Sequence, residues 1–271
     1  MPESQPDLPS GSDAGTWDFY LAAYHRENAG ITERVLSTSP DAAVGTAYDW
    51  LRAALPARVG LVVDLACGSA PLQPLLSSSS SYVGVDVSEA ELECAVALGR
   101  YAVVRASATA LPLADSSADV VVCSMGIMLF QPVEVALAEV ARVLRPGGSF
   151  ITTRPAGGPV RLRDLSIAAT LTRGLHAFPQ MPQRFGRGKF RGLLQAAGMT
   201  EVDDTSIRFV HALESLADAQ LVIDALYLPR VDRSRRAAAV RRLARRAGAG
   251  VQIPIYVRRT VAVRNPGHNE A

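Results

Sequence analysis

Between an apolar stretch at residues 59–65 and a segment of helical pattern at residues 70–76 stands the run Asp64, Leu65, Ala66, Cys67, Gly68, Ser69, Ala70 and Pro71. A turn at the carboxyl end of a strand in an open α/β sheet is where such sheets bind ligands. About twenty residues on, Asp86 closes a second apolar stretch, and an acidic side chain there accepts hydrogen bonds from both hydroxyls of a ribose. The pair therefore points to a nucleoside-containing ligand. A dinucleotide fingerprint would read GxGxxG. Aligned on Gly68, its outer positions are Ala66 and Pro71, and the proline lacks an N–H where a pyrophosphate would bind. That argues against NAD and FAD. No GxxxxGK(S/T) loop is present, which argues against ATP held in that way.

A base, where one is needed, would be His25, His176 or His211. His25 ranks first because it follows the aromatic cluster Trp17, Tyr20 and Tyr24, and His176 stands second. Cys67, Cys94 and Cys123 form no CxxC pair, so no metal site is expected. Cys67 is read as a small packing residue, and unpaired cysteines fit a reducing cytoplasm.

The elements that must position these residues alternate. Apolar stretches at 59–65, 82–85, 101–105, 119–123, 149–153, 201–211 and 254–263 predict seven strands. Amphipathic segments at 70–76, 88–98, 133–144 and 190–197 predict helices between them. In the second of these helices Ser88 and Glu91 form a predicted capping box. Residues 155–188, rich in proline and glycine around a helical patch at 165–175, form an insertion. Residues 213–247 are mostly helical, with a break at Pro229, and residues 17–36 form one or two helices ahead of the sheet.

Composition sets the frame. The chain has 271 residues, 48% hydrophobic and 20% charged, with a net charge of +2. This is a globular composition, neither a disordered chain nor a disulfide scaffold. No stretch approaches the roughly 18 apolar residues of a membrane span, so no membrane partner is expected. Residues 1–15 lack the basic and apolar regions of a signal peptide and are expected to be a disordered tail.

The segments at 62–70, 82–95, 110–124 and 137–153 together resemble the class I S-adenosylmethionine-dependent methyltransferases of the small-molecule subgroup. Each is short, but all four stand in the family's order and spacing. Residues 17–36 also look like the lid helices that precede this core. The resemblance implies an α/β, Rossmann-like, seven-stranded and mostly parallel sheet. Its last strand is antiparallel, helices cover both faces, and lid helices occupy residues 16–57 ahead of a core at 58–271.

It also implies roles at matching positions. Asp64 would hold the methionine ammonium of S-adenosylmethionine, and the turn through Ala66, Cys67 and Gly68 would face the methionine half. Asp86 would hold the ribose and Val87 the adenine. Ser107 and Ala108 match the segment at the adenine edge, where the family commonly has an aspartate in place of the serine. Ser124 and Met125 match positions beside the transferred methyl, and Tyr20 or Tyr24 would touch the cofactor. The family pattern DxGxGxG reads here Asp64, Ala66, Gly68 and Ala70. Alanine fits those positions where φ is negative.

The reading is thus an enzyme that methylates a small, hydrophobic metabolite, with O-, N- or C-methylation open, acting as a monomer or homodimer. The alternatives are an RNA or protein methyltransferase, or a methyltransferase-like protein with altered chemistry. Of the 28 basic residues all but Lys189 are arginine, a codon bias more than a nucleic-acid footprint. Only residues 230–246, with eight arginines and one acid, keep an anionic partner open.

Overall fold

The computed structural model describes residues 14–157 and 161–266. The expected tail lies outside them apart from residues 14 and 15. Three helices come first: α1 (Ala14–Asn28), α2 (Ile31–Ser37) and α3 (Ala47–Arg52). Thr46 caps α3 in a full capping box with Asp49. The core follows as β1 (Leu61–Leu65), β2 (Ser81–Asp86), α4 (Glu89–Ala97), β3 (Val103–Arg105), β4 (Ala118–Ser124), α5 (Val133–Val143) and β5 (Leu144–Pro155). Beyond it lie α6 (Leu162–Leu175), α7 (Arg187–Ala196), β6 (Met199–Ala212), α8 (Leu216–Asp224), α9 (Arg233–Ala244) and β7 (Gln252–Arg264).

The seven strands form one sheet in the order β3-β2-β1-β4-β5-β7-β6. The first five are parallel, and β7 runs antiparallel between β5 and β6. Strands β1 and β4 are apolar without alternation because helices cover both faces of the sheet. On one face α5 buries Val133, Ala136, Leu137, Val140 and Val143 together with Phe190 and Leu194 of α7. On the other, Leu51 of α3 and Leu72 pack on Val62, Val120, Val122 and Ile151. The strand order reverses direction between β1 and β4, the switch point of an open sheet.

The predicted helix at 70–76 does not form. Turns and a single 3-10 turn at Gln73–Leu75 replace it, because Pro71 and Pro74 each remove a backbone donor. The helical patch of the insertion becomes α6, which packs with α8 and α9 in a helical layer of its own. Its Asp164 is buried and takes a two-pronged hydrogen bond from Arg208 of β6, at 2.6 and 2.9 Å, so the insertion is anchored to the sheet.

Candidate active site

At the switch point the chain leaves β1 in a turn with an unusual backbone. Ala66, Gly68 and Ala70 all have positive φ, at 54°, 54° and 56°. The condition under which alanine would be unstrained is therefore not met at Ala66 or Ala70, and each carries a left-handed penalty of about 1 kcal/mol. The alternation has a use, since left-handed residues set every second position turn backbone N–H groups into one concavity. The N–H of Gly68 donates to one carboxylate oxygen of Asp86 at 2.8 Å, and the N–H of Ser88 donates to the other at 2.8 Å. Each oxygen keeps a second lone pair for a ligand.

The methyl of Ala66 fills the space that Gly126 leaves across the turn. A Cβ on Gly126 would lie 2.5 Å from that of Ala66 and 3.0 Å from Cys123 Sγ. Gly126→Ala is thus expected to destabilise the fold by about 1–3 kcal/mol through overpacking. Adding Ala66→Gly should recover most of that loss, because it removes one clash and one left-handed alanine. Thermal melts of the two single variants and the double variant check this; a double variant no more stable than Gly126→Ala would refute it.

Asp64, at the end of β1, is 2% exposed and accepts a hydrogen bond from the Tyr82 hydroxyl at 2.8 Å. Burial pushes its carboxyl up to about 7, opposed by the Tyr82 bond and assisted by the charge of Asp86. Such a shift favours the fold at acid pH, and the contribution is lost as pH rises from the ordinary carboxylate range through about 7. A buried carboxyl with one neutral partner is a place for a cation.

Asp64 and Asp86 open into one cavity of about 470 Å³, within the range of small-molecule sites. Ala66, Cys67 and Gly68 line it, as do Val87, Ser107 and Ala108 at the ends of β2 and β3, and Ser124 and Met125 after β4. The Met125 N–H donates to the Thr153 carbonyl at 2.9 Å, and the hydroxyls of Ser124 and Thr153 lie 3.1 Å apart. Among the described residues no cluster of metal-ligating side chains occurs. The thiols of Cys67 and Cys123 are buried and pushed well above their ordinary value by desolvation, so neither is a nucleophile.

The N-terminal helices supply the remaining wall, and several expected site residues lie elsewhere. Tyr20 and Tyr24 do not line the cavity. Both are buried against the far side of α1, where the Tyr20 hydroxyl accepts from the Leu228 N–H and the Tyr24 hydroxyl donates to the Asp224 carbonyl. The face of α1 turned to the cavity is instead Asp18, Leu21, Ala22 and His25. His176 is exposed at the left-handed cap of α6 and lines a different cleft, so it is not part of this site. His211 is buried on β6, with Nδ1 3.1 Å from the Ser39 hydroxyl, and does not line the cavity.

Two residues were not visible as site residues in the sequence. The sequence pattern predicts Glu91 as half of a capping box. Ser88 does accept from the Glu91 N–H, at 3.4 Å, but the Glu91 carboxylate turns away to the lid. One of its oxygens accepts from the Gly30 N–H at 2.9 Å, and the other lies 2.9 Å from His25 Nδ1. Tyr227, between α8 and α9, lines the cavity with its hydroxyl 3.4 Å from His25 Nε2. The pattern SxxE gave a local explanation for Glu91 that hid the distant one, and nothing near Tyr227 in sequence marks it. A second tie holds α2: Glu33 pairs with Arg100 at 2.6 and 2.8 Å and accepts from the Ser69 hydroxyl at 2.6 Å.

Comparison with known proteins bears on the family and the fold. A family model described as a methyltransferase domain matches residues 63–152, from β1 into β5. The demethylmenaquinone methyltransferase of Beutenbergia cavernae is 35% identical over 161 residues, 56% of this chain and 61% of that protein. The chain thus spans less than two thirds of the length of that relative. The ubiquinone/menaquinone biosynthesis C-methyltransferase UbiE of Syntrophotalea carbinolica is 30% identical over 176 residues, 54% of this chain and 71% of that protein. Among solved structures, the cyclase SpnF has the same fold, with a TM-score of 0.59 at 17% identity over 97% of this chain and 100% of that one. With the motif order, the strand order and the acidic turn at the switch point all in agreement, the chain belongs to the class I S-adenosylmethionine-dependent methyltransferases.

Proposed function

We propose that this cavity holds S-adenosylmethionine and that the enzyme methylates a small, hydrophobic acceptor entering beside the lid. The observation that carries the reading is the pair Asp64 and Asp86, two desolvated carboxyls on neighbouring strand ends in one cavity. Asp64 would hold the ammonium, Asp86 the ribose hydroxyls, and Val87, Ser107 and Ala108 the adenine. Bound there, the cofactor supplies a methyl already activated by its sulfonium. The chain's own task is then to align the acceptor, exclude water and take a proton where the acceptor carries one. Alignment alone is worth about 7–11 kcal/mol.

His25 would take that proton. Glu91 holds Nδ1, and Nε2 points toward Tyr227, whose hydroxyl lies 3.4 Å away. Leu21, Leu129 and Phe130 give the acceptor an apolar wall. The Beutenbergia and Syntrophotalea relatives, by their names, methylate quinone precursors, which supports an aromatic acceptor and transfer to carbon.

Calorimetry tests the reading through a proton count. A carboxyl near 7 that must ionise to pair with an ammonium releases its proton on binding, close to one per cofactor at pH 6 and about half at pH 7. The heats measured in buffers of different ionisation enthalpy give that count, and Asp64→Asn should remove it. No binding of S-adenosylmethionine or its demethylated product would sink the proposal and favour altered chemistry. Binding without proton release would refute the Asp64 assignment.

A further inference from the structure

A second concavity lies on the helical layer, apart from the cavity just described. Arg173 and His176 at the end of α6 face Arg241, Arg242 and Arg245 at the end of α9, and no acidic residue lines the space. The two helices cross closely there, since a Cβ on Gly174 would meet Ala239 at 3.1 Å. None of these four arginines has a carboxylate partner among the described residues, although most other arginines of the fold are paired or bonded. A chain of net charge +2 therefore concentrates unpaired guanidinium groups in one cleft. Guanidinium forks match phosphate oxygens.

The surroundings of the cleft select the kind of phosphate. Leu162 and Leu165 stand on the outer side of α6 and are 87% and 50% exposed, and Phe178, just past its end, is 67% exposed. A nucleic-acid strand or a free phosphate would use the arginines and leave these three side chains in water. A bilayer surface uses both, with apolar side chains among the acyl chains and basic ones at the headgroups. From Phe178 the chain continues to the rim of the first cavity. The Gln180 N–H donates to the Tyr227 carbonyl at 2.9 Å and the Gln183 N–H to the Met128 carbonyl at 3.0 Å.

We propose that the α6–α9 face docks on an anionic lipid surface, with the arginine cleft taking phosphate headgroups and Phe178, Leu162 and Leu165 entering the interface. The contact is peripheral, which fits the finding that no helix among the described residues is long and apolar enough to cross a membrane. Its link to the first cavity rests on the hydrophobic acceptor proposed above, because a docked face next to the rim gives a lipid-dissolved acceptor a short path. The docking itself does not depend on that reading.

Co-sedimentation of the full chain with vesicles tests it. Binding is expected to vesicles of phosphatidylcholine with phosphatidylglycerol, not to phosphatidylcholine alone, and is expected to weaken with salt. Each arginine near an anionic surface contributes about fivefold, so Arg241→Ala with Arg242→Ala should lower partitioning about 25-fold. Phe178→Ser should also lower it, with the charge unchanged. Thermal melts and cofactor titration of the same variants should match the parent. Absence of binding to the anionic vesicles, equal binding by the variants, or capture of an RNA oligomer or inorganic phosphate in place of vesicles would overturn the proposal. Vesicle binding as described, with no cofactor bound by any form, would uphold the surface and remove the proposed function instead.

Discussion

Asp86→Ala is expected to lower the affinity for S-adenosylmethionine by about 1.5–3 kcal/mol, roughly ten- to a hundredfold, the scale of hydrogen bonds to a charged group. Both carboxylate oxygens are already half used. One accepts from Gly68 in the left-handed turn and the other from Ser88 ahead of α4. The carboxylate therefore has one orientation in the free protein, and a ribose would find its acceptors in place. The change also releases the Gly68 N–H, so part of the loss comes from a turn that is no longer held. Asp86→Asn separates the two contributions. Its amide oxygen can still accept from one N–H, while a ribose hydroxyl loses a charged acceptor. Calorimetric titration of both variants reads the effect, and an alanine variant that binds like the parent would refute the ribose assignment.

Glu91→Ala is the second large expected effect, and it acts on the N-terminal helices. Glu91 is 4% exposed and joins α4 to the two helices that close the cavity, through Gly30 and His25. Gly30 has φ of 71°, sits at the start of α2, and donates its buried N–H to this carboxylate. Removing the carboxylate leaves that donor unsatisfied and His25 without an anchor. The expected cost is about 3 kcal/mol, roughly 6–12 °C in Tm for a chain of this size. Glu91→Gln should regain much of the stability, because its carbonyl oxygen still accepts from Gly30. It should not regain activity that depends on the orientation of His25, because an amide offers Nδ1 a different set of donors and acceptors from a carboxylate. A glutamine variant with parental melting, a depressed kcat and little change in KM would identify positioning of His25. Parental melting of Glu91→Ala would refute the lid tie.

How much of this was legible depended on the range of the interaction. Asp64, Asp86, Val87, Ser107, Ala108, Ser124 and Met125 all line one cavity. Their positions are set by where strands end, and strand ends follow from local apolar runs and the breakers that stop them. The helix expected at 70–76 does not form for a reason also present in the sequence, since Pro71 and Pro74 remove two backbone donors from it. The alanines at 66 and 70 were visible, but their left-handed backbone was not, because φ there is imposed by the turn between β1 and Leu72.

The sequence by itself determined the sheet, the switch point and the acidic ends of β1 and β2. Each depends on runs of a few residues whose patterns are complete within themselves. Only the tertiary structure decided which face of α1 meets the cavity, so that His25 lines it and Tyr20 and Tyr24 do not. It also turned Glu91 to the lid, brought in Tyr227, and gathered Arg173 with the arginines of α9. Those outcomes join residues separated by 66 positions (His25 and Glu91) or 202 positions (His25 and Tyr227). Side-chain partners at such distances are chosen by how the helices pack, and the packing exists only once the whole core has closed.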